Sequence, residues 1–305
     1  MHLYSGGVYR NASSNFLNLL PLGIPTLIIA DDPQLIAAAG AAYAHWSVEA
    51  PHSEPRIKLR LEIGNASPTA DVSFDIRVEG SRLQLKGRGA DGTADAAELK
   101  ARATITRALA NDLARFTEIV DTLLLFLLAR DGRTPVHASG FMLGNLAILL
   151  AGPSGSGKST LALAAANRGL GILSDDMVFV QREPSFAIWG FPRPMHLFLK
   201  DAPPGEHPRR WRNEKLKVAV PLEFPALKAE RSNLVLLNQG KALEIREISA
   251  THAIEQLMRL DAGFDLLEND SRVVLQTLVS AGAWQLTLTH DADAAIELIV
   301  SRFGT

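Results

Sequence analysis

Between residues 56 and 89 the chain alternates. RIKLRLEI, DVSFDIRVEG and SRLQLKGRG place an apolar residue at every second position, which is the period of a half-buried strand. Gly80 and Ser81 separate the last two runs and signal a hairpin. Upstream, IPTLII (24–29) is a short β-rich run, and DDPQLIAAAGAAYAHW reads as a helix begun by Asp32 and Pro33. Past Gly92 the Ala/Leu spacing predicts one long helix or two over 93–130, ended by Arg130-Asp131-Gly132. That stretch contains TLLLFLLA (122–129), bounded by Asp121 and Arg130. The run is far shorter than the ~20 residues that span a bilayer, so it predicts a buried helix.

The pattern then changes. PVHASGFML and NLAILLAG read as strands, followed by GPSGSGKST and the helix STLALAAANRG, which Gly169 ends. LGILSDD is a strand with an acidic end, and MVFVQ and FAIWGF continue in short apolar pieces. SNLVLLN and AWQLTLTH are further strands; THAIEQLMRL, SRVVLQTLVSA and DADAAIELIVSRF are helices. This layout predicts a smaller N-terminal α+β domain over 1–115 and an α/β domain over 116–305. Within the second domain, residues 200–217 combine prolines, a glycine and a charge cluster, which disfavours both helix and strand. A mobile loop is expected there, carrying Lys200, Arg209, Arg210, Arg212, Lys215 and Lys217. It reads either as a solvated segment or as a lid over a ligand. Arg193, between two prolines, is a second cationic candidate, and Trp189 and Trp211 pack either in the core or against a substrate.

Composition narrows the classes. At 305 residues, 47% apolar and 21% charged, the chain is an ordinary globule of about two domains. A net charge of −2 creates no global field for nucleic acid or an anionic membrane. The absence of cysteine excludes disulfides, thiolate metal sites and cysteine nucleophiles. The segment MHLYSGGVYRNASSNF lacks the charged-then-apolar pattern of a signal peptide, and a cytoplasmic location is expected.

Gly152, Gly157, Lys158 and Ser159 fit G-x-x-x-x-G-K-[ST], the phosphate-binding P-loop. The glycines let backbone amides approach phosphate oxygens, and the following helix offers unpaired N–H groups and its positive end to an anion. The residues 152–160 therefore predict a nucleotide site, with Ser154, Gly155, Ser156 and Thr160 alongside. Lys158 is expected to neutralise the β/γ-phosphates and Ser159 to ligate Mg²⁺. Strand before and helix after supply the context this motif needs. Asp175 lies sixteen residues beyond Ser159 at a strand end, with Asp176 next to it. Two adjacent acids allow one to stand near a metal and one to accept a proton from an attacking hydroxyl. His137 precedes Gly152 by fifteen residues.

VHASGF (136–141), GPSGSGKST (152–160) and GLGILSDDMVFV (169–180) together resemble the kinase domain of the HPr kinase/phosphorylase family. The resemblance covers roughly residues 130–200. It implies a phosphoenolpyruvate-carboxykinase-like core, ATP and Mg²⁺ as cofactors, and transfer of the γ-phosphoryl group to a serine or threonine hydroxyl of a small protein or peptide. It also implies that one aspartate of the pair acts as base, with Asp175 favoured. Asp176 then stands with Ser159 at the metal, and His137 tunes the base. A homo-oligomer is expected, with neither nucleic acid nor membrane as partner. The chain departs from the enzymes that act on HPr. Thr160 replaces their usual Glu, and FAIWGFPRPMHLFLK stands where their LEVRG-type segment lies. Phosphorolysis and HPr as acceptor therefore do not follow from the resemblance. The general layout is similar to a divergent branch found beside lasso-peptide biosynthesis, whose members phosphorylate a precursor peptide near its C-terminus. A regulatory nucleotide-binding module with vestigial chemistry and a small-metabolite kinase on the same core stand as alternatives.

Overall fold

The computed structural model describes residues 15–49, 53–65, 74–87, 89–199, 202–203, 205, 209–212, 215–260 and 271–304. It forms two compact units, Met1–Asp131 and Gly132–Thr305, both mixtures of helices and sheets. No helix among the described residues is long and apolar enough to cross a membrane.

The first unit runs β1 (Phe16–Leu19), β2 (Thr26–Ala30), α1 (Pro33–Ala42), β3 (Ile57–Ile63), β4 (Asp75–Glu79), β5 (Arg82–Gly87), β6 (Ala90–Asp95), β7 (Lys100–Ile105), α2 (Arg107–Ala110) and α3 (Leu113–Arg130). Its seven strands make one sheet, ordered β1-β2-β3-β7-β6-β5-β4. Alternation decides the faces: Ile57, Leu59 and Leu61 are buried while Lys58 and Arg60 are exposed. Helix α3 buries Phe116, Ile119, Val120, Leu123, Leu124 and Leu127, the i, i+3, i+4 stripe of an amphipathic helix. Gly92 admits it closely, since a Cβ there would stand 3.2 Å from Leu123 Cδ1. The Asp32 side chain caps α1 by accepting from Gln34 N–H at 2.8 Å.

Two expectations change here. Residues 93–105 are not helical: they complete β6 and form β7. Ala94, Ala101, Ala103 and Ile105 are buried at every second position, whereas Thr93, Lys100 and Arg102 are not. Alanine's helix propensity hides this period of two, and sheet pairing overrides it. Helix α3 also lies wholly within the first unit, so the chain divides after residue 131 rather than 115.

The second unit continues with β8 (Thr134–Val136), β9 (Ser139–Leu143), β10 (Leu146–Ala151), α4 (Lys158–Asn167), β11 (Ile172–Ser174), β12 (Val178–Gln181), β13 (Ala187–Trp189), β14 (Met195–Leu197), β15 (Arg209–Arg212), β16 (Lys215–Val220), β17 (Lys228–Ala229), β18 (Arg231–Gln239), β19 (Glu244–Ile248), α5 (Ala250–Leu260), α6 (Ser271–Val279), β20 (Ala283–Leu288) and α7 (Ala292–Phe303). The main sheet is ordered β11-β9-β10-β18-β20-β19, with β10, β18 and β20 mutually parallel. Strand β10 is apolar throughout because both its faces are covered. Ala147 and Leu149 join Leu234, Leu257, Leu275 and Leu278 on one side. Ile148 and Leu150 join Val235, Leu161, Ile296 and Ile299 on the other. The sheet β17-β13-β12-β8 adds Val136, Val178, Val180 and Ile188 to the first of these clusters.

Where β13 ends, Gly190 allows backbones to meet. A Cβ there would lie 2.3 Å from Ala226 O and 2.8 Å from Leu173 O. Gly190→Ala should therefore cost about 1–3 kcal/mol of stability through overpacking. Chemical denaturation reads this as a lowered midpoint, and an unchanged midpoint would contradict the close approach.

The region expected as an unstructured loop contains two strands. β15 and β16 form a hairpin, and β14 pairs with β16 on its other side. The proline- and glycine-rich stretch ends before residue 209, and beyond it LKVAV resumes an apolar pattern that buries Val218 and Val220. Lys200 lies outside the described residues.

Candidate functional site

Residues 152–157 connect the carboxyl end of β10 to the amino end of α4. Gly155 (φ 85°) and Gly157 (φ 105°) take left-handed conformations that disfavour a side chain, and Gly157 is the N-cap of α4. Gly152 is required for closeness, because a Cβ would stand 2.7 Å from Ser156 Oγ and 3.3 Å from Leu237 Cβ. The loop is braced from the neighbouring parallel strand: Gln239 Nε2 donates to Ser156 O at 3.0 Å. Ser156 Oγ is buried without a hydrogen-bond partner among the described residues.

Lys158 opens α4 and is buried. Its Nζ donates to Gly152 O at 2.6 Å and Pro153 O at 3.2 Å, so it folds back over the loop. Burial holds its pKa below the usual lysine value; the negative charge of Asp176 opposes this shift and the positive charge of Lys217 adds to it.

The acidic pair sits on a turn that serines build. Ser139 Oγ donates to Ser174 O at 3.1 Å, and Ser174 Oγ accepts from the N–H groups of Asp176 (3.3 Å) and Met177 (3.1 Å). Asp175 and Asp176 consequently face different environments. Asp175 is 5% exposed, and its Oδ2 accepts from His196 N–H at 3.0 Å. The Asp176 side chain is 39% exposed, with Oδ1 3.5 Å from His137 Nδ1.

These groups converge on one cleft of about 900 Å³. His137, Ser154, Gly155, Gly157, Lys158, Ser159, Thr160, Asp175 and Asp176 all line it, while Gly152 and Ser156 lie buried in the loop behind. Lys217 lines the cleft as well. Trp189 and Arg193 lie outside this lining. Trp189 packs between Arg133 and Lys228 (5.6 and 5.5 Å) and donates Nε1–H to Gln181 Oε1 at 2.9 Å. Arg193 stands 4.7 Å from the Phe191 ring centroid. Arg209, Arg210, Trp211 and Arg212 lie on β15, and Lys215 begins β16.

Sequence reasoning missed several residues of the lining: His196, Phe198, Gln239, Leu288, Thr289 and His290. Gln239 and Leu288 end β18 and β20, the parallel strands that follow β10 in the sheet order. Ligands of open α/β sheets bind at the carboxyl ends of such strands, so NQ after SNLVLL and TH after AWQLTL carried a usable signal.

Among the described residues no three or more His, Asp or Glu side chains gather to cage a metal ion.

No family model matches the chain, and no curated protein matches it. Among solved structures, the HPr(Ser) kinase/phosphatase from Coxiella burnetii is similar at 14% identity. The match covers 55% of this chain and 95% of that one, with a TM-score of 0.30. A score this low decides nothing about the site, whose chemistry rests on its own geometry.

Proposed function

We propose that the second unit is an ATP-dependent kinase that transfers the γ-phosphoryl group to a serine or threonine hydroxyl of a small protein or peptide. One observation carries the reading: a left-handed glycine loop, a buried lysine and two differently placed carboxylates converge on a single cleft.

The loop fits a polyphosphate. Ser154, Gly155 and Gly157 line the cleft where α4 begins, and the first amides of a helix have no partner within it and suit an anion. Mg²⁺·ATP, when bound, supplies the phosphoryl group and a divalent charge that offsets the phosphates. Ser159 and Asp176 hold the metal in this reading. His137 stands beside Asp176 and fixes that carboxylate in this reading. Asp175, oriented by His196 N–H, takes the proton of the acceptor hydroxyl. Catalysis here is positioning plus electrostatics. The cleft lies near the upper end of the roughly 300–1,000 Å³ typical of ligand pockets, which leaves room for an acceptor side chain beside the nucleotide. Within this class, the motif layout favours a peptide acceptor such as a lasso-peptide precursor with a C-terminal serine.

Lys158 gives the reading a pH dependence. Only its charged form attracts phosphate, and burial makes it lose its proton at a lower pH than an ordinary lysine. Affinity for Mg²⁺·ATP is expected to decline on alkalinisation before the usual lysine range is reached. Titration calorimetry across neutral and alkaline pH checks this; a flat affinity up to that range would contradict it.

The class of acceptor is tested by incubating the full chain with Mg²⁺·ATP and two panels, one of serine- and threonine-containing peptides and one of hydroxylated metabolites. Phosphate incorporated into peptides supports the reading. Incorporation confined to metabolites replaces it with a small-molecule kinase.

A further inference from the structure

The sheet β14-β16-β15 is fastened to the P-loop helix. Met195 pairs with Val220 and Leu197 with Val218, and these four side chains pack together with Ala162 of α4 in one buried cluster. The alternating neighbours have another fate: His196, Phe198 and Lys217 line the cleft. Lys217 Nζ lies 5.5 Å from the Phe198 ring centroid. It makes no ion pair among the described residues. The cleft is therefore lined by two lysines, Lys158 on the helix and Lys217 on the strand, carried by elements that share one apolar cluster. Their proximity is felt electrostatically, since Lys217 is among the causes that depress the Lys158 pKa.

Two cations in one cleft repel each other, and an anion between them turns that repulsion into two attractions. A triphosphate bound as proposed above would have its near end along the loop and the amino end of α4, and its far end would stand between the two ammonium groups that line the cleft. We propose that Lys217 is a second phosphate-binding residue, contacting the terminal phosphoryl group from the β16 wall of the cleft. The proposal rests on the reading of the cleft as an ATP site. Lys217 then distinguishes triphosphate from diphosphate, because a diphosphate does not extend to it, whereas Lys158 serves both.

The test is calorimetric titration of the full chain with Mg²⁺·ATP and with Mg²⁺·ADP, for the wild type, Lys217→Met, Lys217→Arg and Lys158→Ala. Thermal unfolding of each variant is recorded alongside. Lys217→Met is expected to weaken ATP about tenfold or more, the scale of a charge-assisted hydrogen bond, while ADP affinity stays within twofold or so of wild type. Lys217→Arg keeps the charge and restores most of the ATP affinity. Lys158→Ala weakens both nucleotides. An unchanged ratio of ATP to ADP affinity in a folded Lys217→Met protein would overturn the proposal and leave the ATP site standing. A wild-type protein that binds neither nucleotide overturns the ATP site, and this assignment falls with it.

Discussion

Replacing Lys158 by alanine is expected to lower the affinity of the full chain for Mg²⁺·ATP by about ten- to a hundredfold, equivalent to about 1.5–3 kcal/mol. The effect follows from where the ammonium sits. Lys158 is the first residue of α4, buried, and held by two carbonyls of the loop it must serve. A polyphosphate on that loop offers charged oxygens in place of those neutral carbonyls, and charge-assisted hydrogen bonds are about twice as strong as neutral ones. The low-dielectric setting that depresses the lysine's pKa also strengthens its attraction for an anion. Alanine is a good helix former and leaves no buried charge, so the fold persists while binding is lost. Unchanged affinity by titration calorimetry would mean that the loop does not hold phosphate.

The second large effect separates binding from chemistry. Asp175→Asn keeps size and shape, and its side-chain carbonyl still accepts from His196 N–H as Oδ2 does now. What disappears is the capacity to take a proton. Mg²⁺·ATP affinity should stay within a few-fold of wild type, while phosphoryl transfer falls by at least the roughly 10²-fold expected of a lost general base. Asp176→Asn should behave differently. It removes the charge that opposes the depression of the Lys158 pKa and faces His137, so Mg²⁺-dependent nucleotide affinity should fall with it. Single-turnover transfer and nucleotide titration, run on both variants, give the comparison. Two variants that transfer phosphate at the wild-type rate would remove the aspartates from the mechanism.

The site was legible where chemistry is local in sequence. The loop, its helix and the strand before it are consecutive, and their glycine, lysine and apolar pattern carry their own instructions. Asp175, Asp176 and His137 were also visible, each at a strand end near the loop. What stayed hidden depends on pairing at long range. Gln239 braces Ser156 across eighty-three residues of chain, and His196 meets Asp175 through a backbone N–H that any residue but proline would supply. No side-chain preference marks the second of these contacts. The same holds for the fold. β3 was clear from strict alternation of large apolar and charged residues. β7 was not, because Ala101 and Ala103 fill its buried positions, and alanine's helix propensity points away from the strand that pairing imposes. In 200–217 the prolines and glycine of its first half masked the short hairpin of its second.

In the proposed kinase the loop of residues 152–160 and the pair Asp175–Asp176 hold one Mg²⁺·ATP between them, poised for transfer. A crystal structure of the full chain with Mg²⁺ and a non-hydrolysable ATP analogue tests it most directly. The expected result is a triphosphate lying along the backbone amides of the loop, Lys158 Nζ moved from the carbonyls of Gly152 and Pro153 onto phosphate, and Mg²⁺ on Ser159 Oγ with Asp176 beside it. An analogue bound elsewhere, or a Lys158 still folded on its own loop with nucleotide present, would contradict it.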